Sequence, residues 1–226
     1  MPQPIWAESP VSIGTDDVLR DRFIRLWQRC ISAKPEDHGH SIWLQLVERY
    51  SERHRRYHTI RHLAHCLEQL DQTKHLMDHP DSVELAIWFH DVIYAPGDAD
   101  NEEQSAALFK KLAGNVMDAP LVESVSQLIL ATTHRAVPKE KDEQFICDID
   151  LSSFGCDWAC FKQDSDAVKA EFVGSDEDYQ KGKTSFLLSM LALPRIFHTD
   201  IFHERYEKKA RDNIQRLLKL IEEGRK

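Results

Sequence analysis

The chain has 226 residues, 42% of them hydrophobic, and sets 29 basic residues against 38 acidic ones for a net charge of −9 with histidine neutral. That length carries one sizeable core, and the whole of 1–226 reads as a single domain. The acidic balance argues against broad binding to a nucleic-acid polymer or an anionic membrane, so any anionic partner must be attracted locally.

Residues 1–14 read as a linker, and "MPQPIWAESP" lacks the basic start and apolar core of a signal peptide. Apolar residues then recur at helical spacing almost throughout, while strict alternation over a strand's length is missing, which predicts an all-α protein. A first helix with Asp16 or Asp17 as N-cap carries Val18, Leu19, Phe23, Ile24, Leu26 and Trp27. "SIWLQLVERY" opens the next with Ser41 as N-cap, and "RHLAHCLEQL" follows with Leu63, Cys66, Leu67 and Leu70 on one stripe.

Asp81 or Ser82 is expected to cap an apolar, central helix containing "ELAIWFHDVIY", which "APGDADN" terminates. Further helices are expected near 101–113, 119–133, 157–172 and 176–192, with a short one at 148–155. "RAVPKEKDEQ" (135–144) and "LPRIFHTD" (193–200) read as linkers. From about Glu204 an amphipathic helix places Tyr206, Ala210, Ile214, Leu217 and Ile221 on one face. No stretch approaches the roughly 18 apolar residues of a membrane span. Five cysteines without a zinc-ribbon or disulfide-framework spacing fit a reducing compartment, so a soluble cytoplasmic protein is expected. Cys156 and Cys160 share a helix face and read as packing.

The histidines are unevenly spread: nine of the twelve lie between His38 and His90. His58, His62 and His65 would project from one broad helical face, a pattern suited to metal binding, whereas His54, His75 and His79 read as ordinary surface residues. His90 and Asp91 stand side by side in an apolar stretch, where a carboxylate needs a strong partner or a metal. A last carboxylate would come from "FICDIDLSSFG", as Asp148 or Asp150. Mixed histidine and aspartate ligands suit Zn, Mn, Fe or Ni.

The order His62, His90–Asp91 and a distant aspartate resembles the H…HD…D signature of the HD superfamily of metal-dependent phosphohydrolases. "YHTIRH" is similar to the YHNxxH segment of cyclic-nucleotide phosphodiesterases. "RRYHTIRHLAHCL", "AIWFHDVIYAPGDADNEEQSA", "ICDIDLSSFG", "KGKTSFLLSML" and "ARDNIQRLL" resemble more closely a bacterial family of small predicted HD phosphohydrolases, over roughly residues 40–220.

The resemblance implies a helical bundle whose metal-binding core spans about 40–155, with C-terminal helices at 157–226 packed on it. It implies one or two divalent ions (Mn, Mg, Fe, Ni or Zn) held by His62, His90, Asp91 and Asp150. Spacing alone would let His58 ligate beside His62; the resemblance instead makes His58 the acid that protonates a leaving group. "IDLSSFG" resembles the family's aspartate-leucine step, which favours Asp150 over Asp148. Arg55, Arg56, Arg61 and His134 are candidates to contact phosphoryl oxygens, Arg61 and His134 being preferred. Glu102 or Glu103 would orient water or hold a second metal, with Glu103 preferred. Lys183 occupies a substrate-contacting position where the family more often has arginine.

The expected activity is hydrolysis of a phosphomonoester or phosphodiester of a small molecule such as a nucleotide. The alternatives are a ligand-sensing or scaffold protein without turnover, and a di-iron oxygenase on the same core. A homodimer is left open.

Overall fold

The computed structural model describes residues 13–32 and 38–224, with side chains from Asp17 onward, so most of the expected N-terminal linker lies outside the described residues. Among these, ten α-helices and no strand occur: α1 (Ile13–Cys30), α2 (Gly39–Tyr50), α3 (Ile60–Thr73), α4 (Pro80–Phe89), α5 (Asn101–Ala113), α6 (Ala119–Ala131), α7 (Lys141–Leu151), α8 (Trp158–Glu171), α9 (Asp176–Ala192) and α10 (Asp200–Gly224). Short 3-10 turns follow α3 (Lys74–Leu76) and α7 (Ser152–Gly155). Among the described residues, no helix is long and apolar enough to cross a membrane.

The all-α expectation therefore holds, and the arrangement follows from α4. Residues Ser82 to Phe89 are all buried, so this helix has no face to give to solvent. It lies against α1, α3, α5, α6 and α7. Phe23, Trp43 and Trp88 anchor that contact, with Trp88 edge-on to both neighbours at 5.4 and 5.9 Å between ring centres. Each such fully buried side chain contributes about 2–3 kcal/mol through apolar burial. The expected stripe of α3, Leu63, Cys66, Leu67 and Leu70, is buried throughout.

Several boundaries differ from the sequence expectation. The first helix begins at Ile13, so Asp17 lies within it and pairs with Arg20 at 2.7 Å, while the Asp16 side chain lies outside the description. Helix α2 begins at Gly39, and Ser41 Oγ donates to the His38 carbonyl instead of capping. Pro80 opens α4, its missing N–H costing nothing in the first turn, and Asp81 turns away to Arg29 at 2.8 Å.

Helix α7 starts at Lys141, well before the expected 148, because "KEKDEQ" is a helix start and not a linker. Glu140 and Glu143 form a reciprocal capping box, and Asp142 accepts the N–H groups of Asp78 and His79 at 2.9 and 2.8 Å. Helix α10 likewise begins at Asp200, four residues early. Asp148 anchors its start, accepting N–H bonds from His198 and Thr199, both at 2.7 Å.

Candidate metal centre

Helix α4 stops one residue before the histidine it delivers. His90 is its C-cap, and the chain turns at once into Asp91, held there by a buried guanidinium. Arg55 donates to the carbonyls of His58 at 3.0 Å, Asp91 at 2.7 Å and Val92 at 3.1 Å. It is thus a clamp between two site-bearing segments, not the phosphate contact expected of it.

The other side of the turn is held from α5. Ser105 Oγ accepts the Ile93 N–H at 3.0 Å, and Asn101 both accepts from Ala95 N–H at 2.9 Å and donates to Ala95 O at 3.1 Å. The asparagine and serine of "DNEEQSA" therefore position the His90–Asp91 pair.

His90 Nδ1 donates to the Ile87 carbonyl at 2.8 Å, since a carbonyl can only accept, so Nε2 points inward. There it meets His62 Nε2, from the first turn of α3, at 3.3 Å. Asp91 Oδ2 lies 3.1 Å from His90 Nε2 and 3.6 Å from His62 Nε2. Asp150 Oδ1, from α7, lies 3.1 Å from His62 Nε2 and 3.6 Å from His90 Nε2.

These separations are those of ligands around one ion. With metal–ligand bonds of about 2.1 Å, donors at right angles sit about 3.0 Å apart and donors at the tetrahedral angle about 3.4 Å apart. Two imidazoles and two carboxylates, all largely withdrawn from water, also need positive charge among them. Burial opposes a charged His90, yet the Asp91 and Asp150 carboxylates hold its pKa well above the ordinary histidine value. Burial likewise works against ionised Asp91, but His90, then His58 and His62, depress its pKa. Asp150 is depressed against burial by hydrogen bonds from His134, His62 and His90. A divalent cation can replace the protons that now serve this purpose, so the residues fit a metal centre. Cys66 Sγ is 3.7 Å from His62 Nε2 and lies close enough to Asp150 to form a second ligand grouping with it.

Asp148 and Asp150 thus face different partners from one helix. The structure brings Asp150 to the histidines and turns Asp148 toward the start of α10, where three bonds hold it.

A cavity of about 260 Å³ opens on Asp91 and Asp150 and is also lined by His58, Glu102, His134 and Lys183. His134 is the one non-glycine residue of positive φ among those described, at +52°, and it donates from Nε2 to Asp150 Oδ2 at 2.9 Å. That backbone carries a cost that the bond to Asp150 offsets. Lys183 lies 6.0 and 5.8 Å from the Phe154 and Phe186 ring centres, and burial lowers its pKa to about 8.

Two expected residues are placed elsewhere. Arg61 is exposed and does not line the cavity. Glu103 turns outward to Arg135 Nη1 at 2.5 Å, and it is the neighbouring Glu102 that reaches the cavity, its pKa raised by burial.

His58 has a partner that the sequence did not reveal. Its Nδ1 lies 2.6 Å from Oε2 of Glu171, the last residue of α8. Glu171 Oε1 accepts the N–H groups of Arg56, Tyr57 and His58 at 2.6, 2.7 and 3.0 Å, and Tyr94 donates to Oε2 at 3.0 Å. The His58 ring stacks on Tyr94 at 4.1 Å. Burial opposes charge on His58, but Asp91 and Glu171 outweigh it and raise the pKa. No local signal marks Glu171, because its partners lie between 77 and 115 residues away in sequence.

Comparison with family models, with curated proteins and with solved structures finds no match to this chain.

Proposed function

We propose that this chain is a metal-dependent phosphohydrolase of the HD type, cleaving a phosphomonoester or phosphodiester of a small molecule such as a nucleotide. The observation that carries the reading is the juxtaposition of the His62, His90, Asp91 and Asp150 donors with the His58–Glu171 pair at one cavity. Both halves of a hydrolytic site then face one cavity, the donors through Asp91 and Asp150 and the acid through His58.

A divalent ion held by those four residues would supply Lewis acidity to a phosphoryl oxygen and to the attacking water. The remaining work falls to the protein. His58, kept protonated by Asp91 and Glu171, gives its proton to the leaving oxygen as the phosphorus–oxygen bond breaks. Glu171 fixes the ring so that Nδ1 faces the carboxylate and Nε2 is the atom free to donate. His134 orients Asp150, and Glu102 is placed to accept a proton from water. Lys183 offers the substrate a positive charge, and Phe154, Phe161 and Phe186 give the cavity an apolar wall for the non-phosphate part.

Elemental analysis of the wild type and of Asp91→Ala, followed by phosphate release from a phosphoester panel with added Mn²⁺, tests the proposal. Metal bound by the wild type and lost from the variant, with metal-dependent turnover, is the expected result. Equal metal in both proteins would refute the centre. Metal without turnover on any panel member would favour the ligand-sensing alternative.

A further inference from the structure

A second group of ligand-type atoms converges outside the His/Asp centre. Ligand atoms of Cys156, Cys160 and Asp164 lie within 4.8 Å of one another. Cys160 and Asp164 stand one turn apart on α8, while Cys156 lies in the extended link just before that helix, and the fold brings its sulfur to them. The spacing of the two cysteines alone reads as packing; the turn of Asp164 toward them is what the fold adds.

The backbone around this group is fixed from α10. Asn213 Nδ2 donates to the carbonyls of Phe154 and Cys156, both at 2.9 Å. Cys156 N–H bonds the Ser153 carbonyl at 3.1 Å. Gly155 approaches so closely that an added Cβ would fall 2.5 Å from the Tyr206 Cβ. Arg216 stacks over Trp158 at 4.1 Å and pins α8 to the same helix. The three side chains therefore meet on a scaffold that does not depend on them.

Asp164 is the odd member. Its carboxylate lines the cavity, and the hydrogen bond it accepts comes from the Cys160 thiol at 3.8 Å, a weak donor. His62 and Arg61 act on this half-buried carboxylate through their charge, but the donor given at hydrogen-bond range is a thiol, beside a second sulfur, so three ligand-type atoms converge without a cation among them. We propose that Cys156, Cys160 and Asp164 form a second metal site, selective for a thiophilic cation of the zinc type, that meets the cavity through Asp164.

The dimensions suit that ion. Zinc–sulfur bonds of about 2.3 Å at the tetrahedral angle put two sulfurs about 3.8 Å apart, and sulfur and carboxylate oxygen about 3.5 Å apart. Cys160 Sγ and Asp164 Oδ2 are 3.8 Å apart before any adjustment. Two thiolates and one carboxylate select zinc, cadmium or copper(I), whereas the nitrogen and oxygen donors of the first centre accept harder ions. Three protein ligands leave a fourth position for water or a ligand. As each metal–sulfur bond forms, the thiol gives its proton to solvent, and nothing is oxidised. The proposal does not depend on the hydrolase assignment.

The test uses the full chain, reduced and stripped of metal, titrated with Co²⁺ while thiolate-to-metal charge-transfer absorption is followed. A parallel measurement follows alkylation of each cysteine by peptide mass with and without Zn²⁺. The wild type and Asp91→Ala should both show the band, and zinc should slow alkylation of Cys156 and Cys160 roughly tenfold or more. Cys156→Ser/Cys160→Ser should lose the band while keeping metal at the His/Asp centre, and Asp164→Asn should weaken cobalt binding about tenfold. Circular dichroism checks that the variants fold, and Cys160→Ala alone serves if the double variant does not. Absence of the band in wild type with all thiols free overturns the site. So does a band that is equally strong with and without Cys156 and Cys160 in chains that also carry Cys66→Ala, or a Cys156–Cys160 disulfide that forms in air equally fast with and without zinc.

Discussion

Glu171→Gln removes one negative charge and almost no volume at a side chain that is fully buried. Burial alone would raise the Glu171 pKa, but the His58 hydrogen bond and charge, with the N–H groups of Arg56 and His58, bring it from 4.5 to about 2. A depressed carboxylate stabilises the fold above its unfolded pKa and loses that contribution as pH falls through the folded value. By linkage this difference is worth about 3 kcal/mol, present in full above roughly pH 4.5 and lost as pH falls toward about 2. Urea unfolding of wild type and Glu171→Gln, measured side by side across that range, cancels the carboxylates common to both. The stability gap should be near its full size at pH 6 and shrink steadily below pH 4.5. The same variant should lower the His58 pKa, read by NMR of the imidazole, because one of the charges raising it is gone. A gap that does not change with pH would refute the argument that the Glu171 charge, and not merely its shape, holds the segment carrying His58.

Arg55→Ala should cost about 3–5 kcal/mol in urea or thermal unfolding, because it strips charged donors from three carbonyls and leaves buried acceptors without partners. Metal affinity should fall with it, since two of those carbonyls flank the Asp91 ligand and its turn. Lys183→Met should raise KM for a phosphorylated substrate while leaving kcat nearly unchanged. In the wild type KM should also climb as pH rises through about 8, where Lys183 loses its proton, and this climb should be missing from the variant, as steady-state kinetics across pH 7–9 would report.

What the sequence made legible was local and periodic. The α3 stripe, the burial of the His90–Asp91 segment and the preference for Asp150 rest on spacing, on hydrophobic context or on a quoted motif, and the structure brings His62, His90, Asp91 and Asp150 together. What it hid was contact between distant segments. Glu171 reaches His58 across 113 residues, and Arg55 reaches Asp91 across 36. Glu102 and Glu103 are adjacent, about 100° apart around a helix, so choosing between them required the rotation of α5 that Asn101 and Ser105 set. The charged run at 139–144 resembled a linker because its acids act as helix caps, a role that composition does not distinguish from solvation.

The charge at the cavity orders the chemistry on the proposed reading. Asp91, Glu102, Asp150 and Asp164 all face it, against His58 and Lys183 as its cations. Four carboxylates still outweigh one lysine and the two protonated histidines, His58 and His90, on a chain whose net charge is already −9, so the bare cavity repels a phosphate. Only after a divalent ion has been taken up by the two aspartates nearest His62 and His90 does the local sign favour an anion. Substrate binding is then conditional on metal binding. The acidity that argues against a nucleic-acid polymer is also the reason a metal must come first, as the local attraction a phosphate needs.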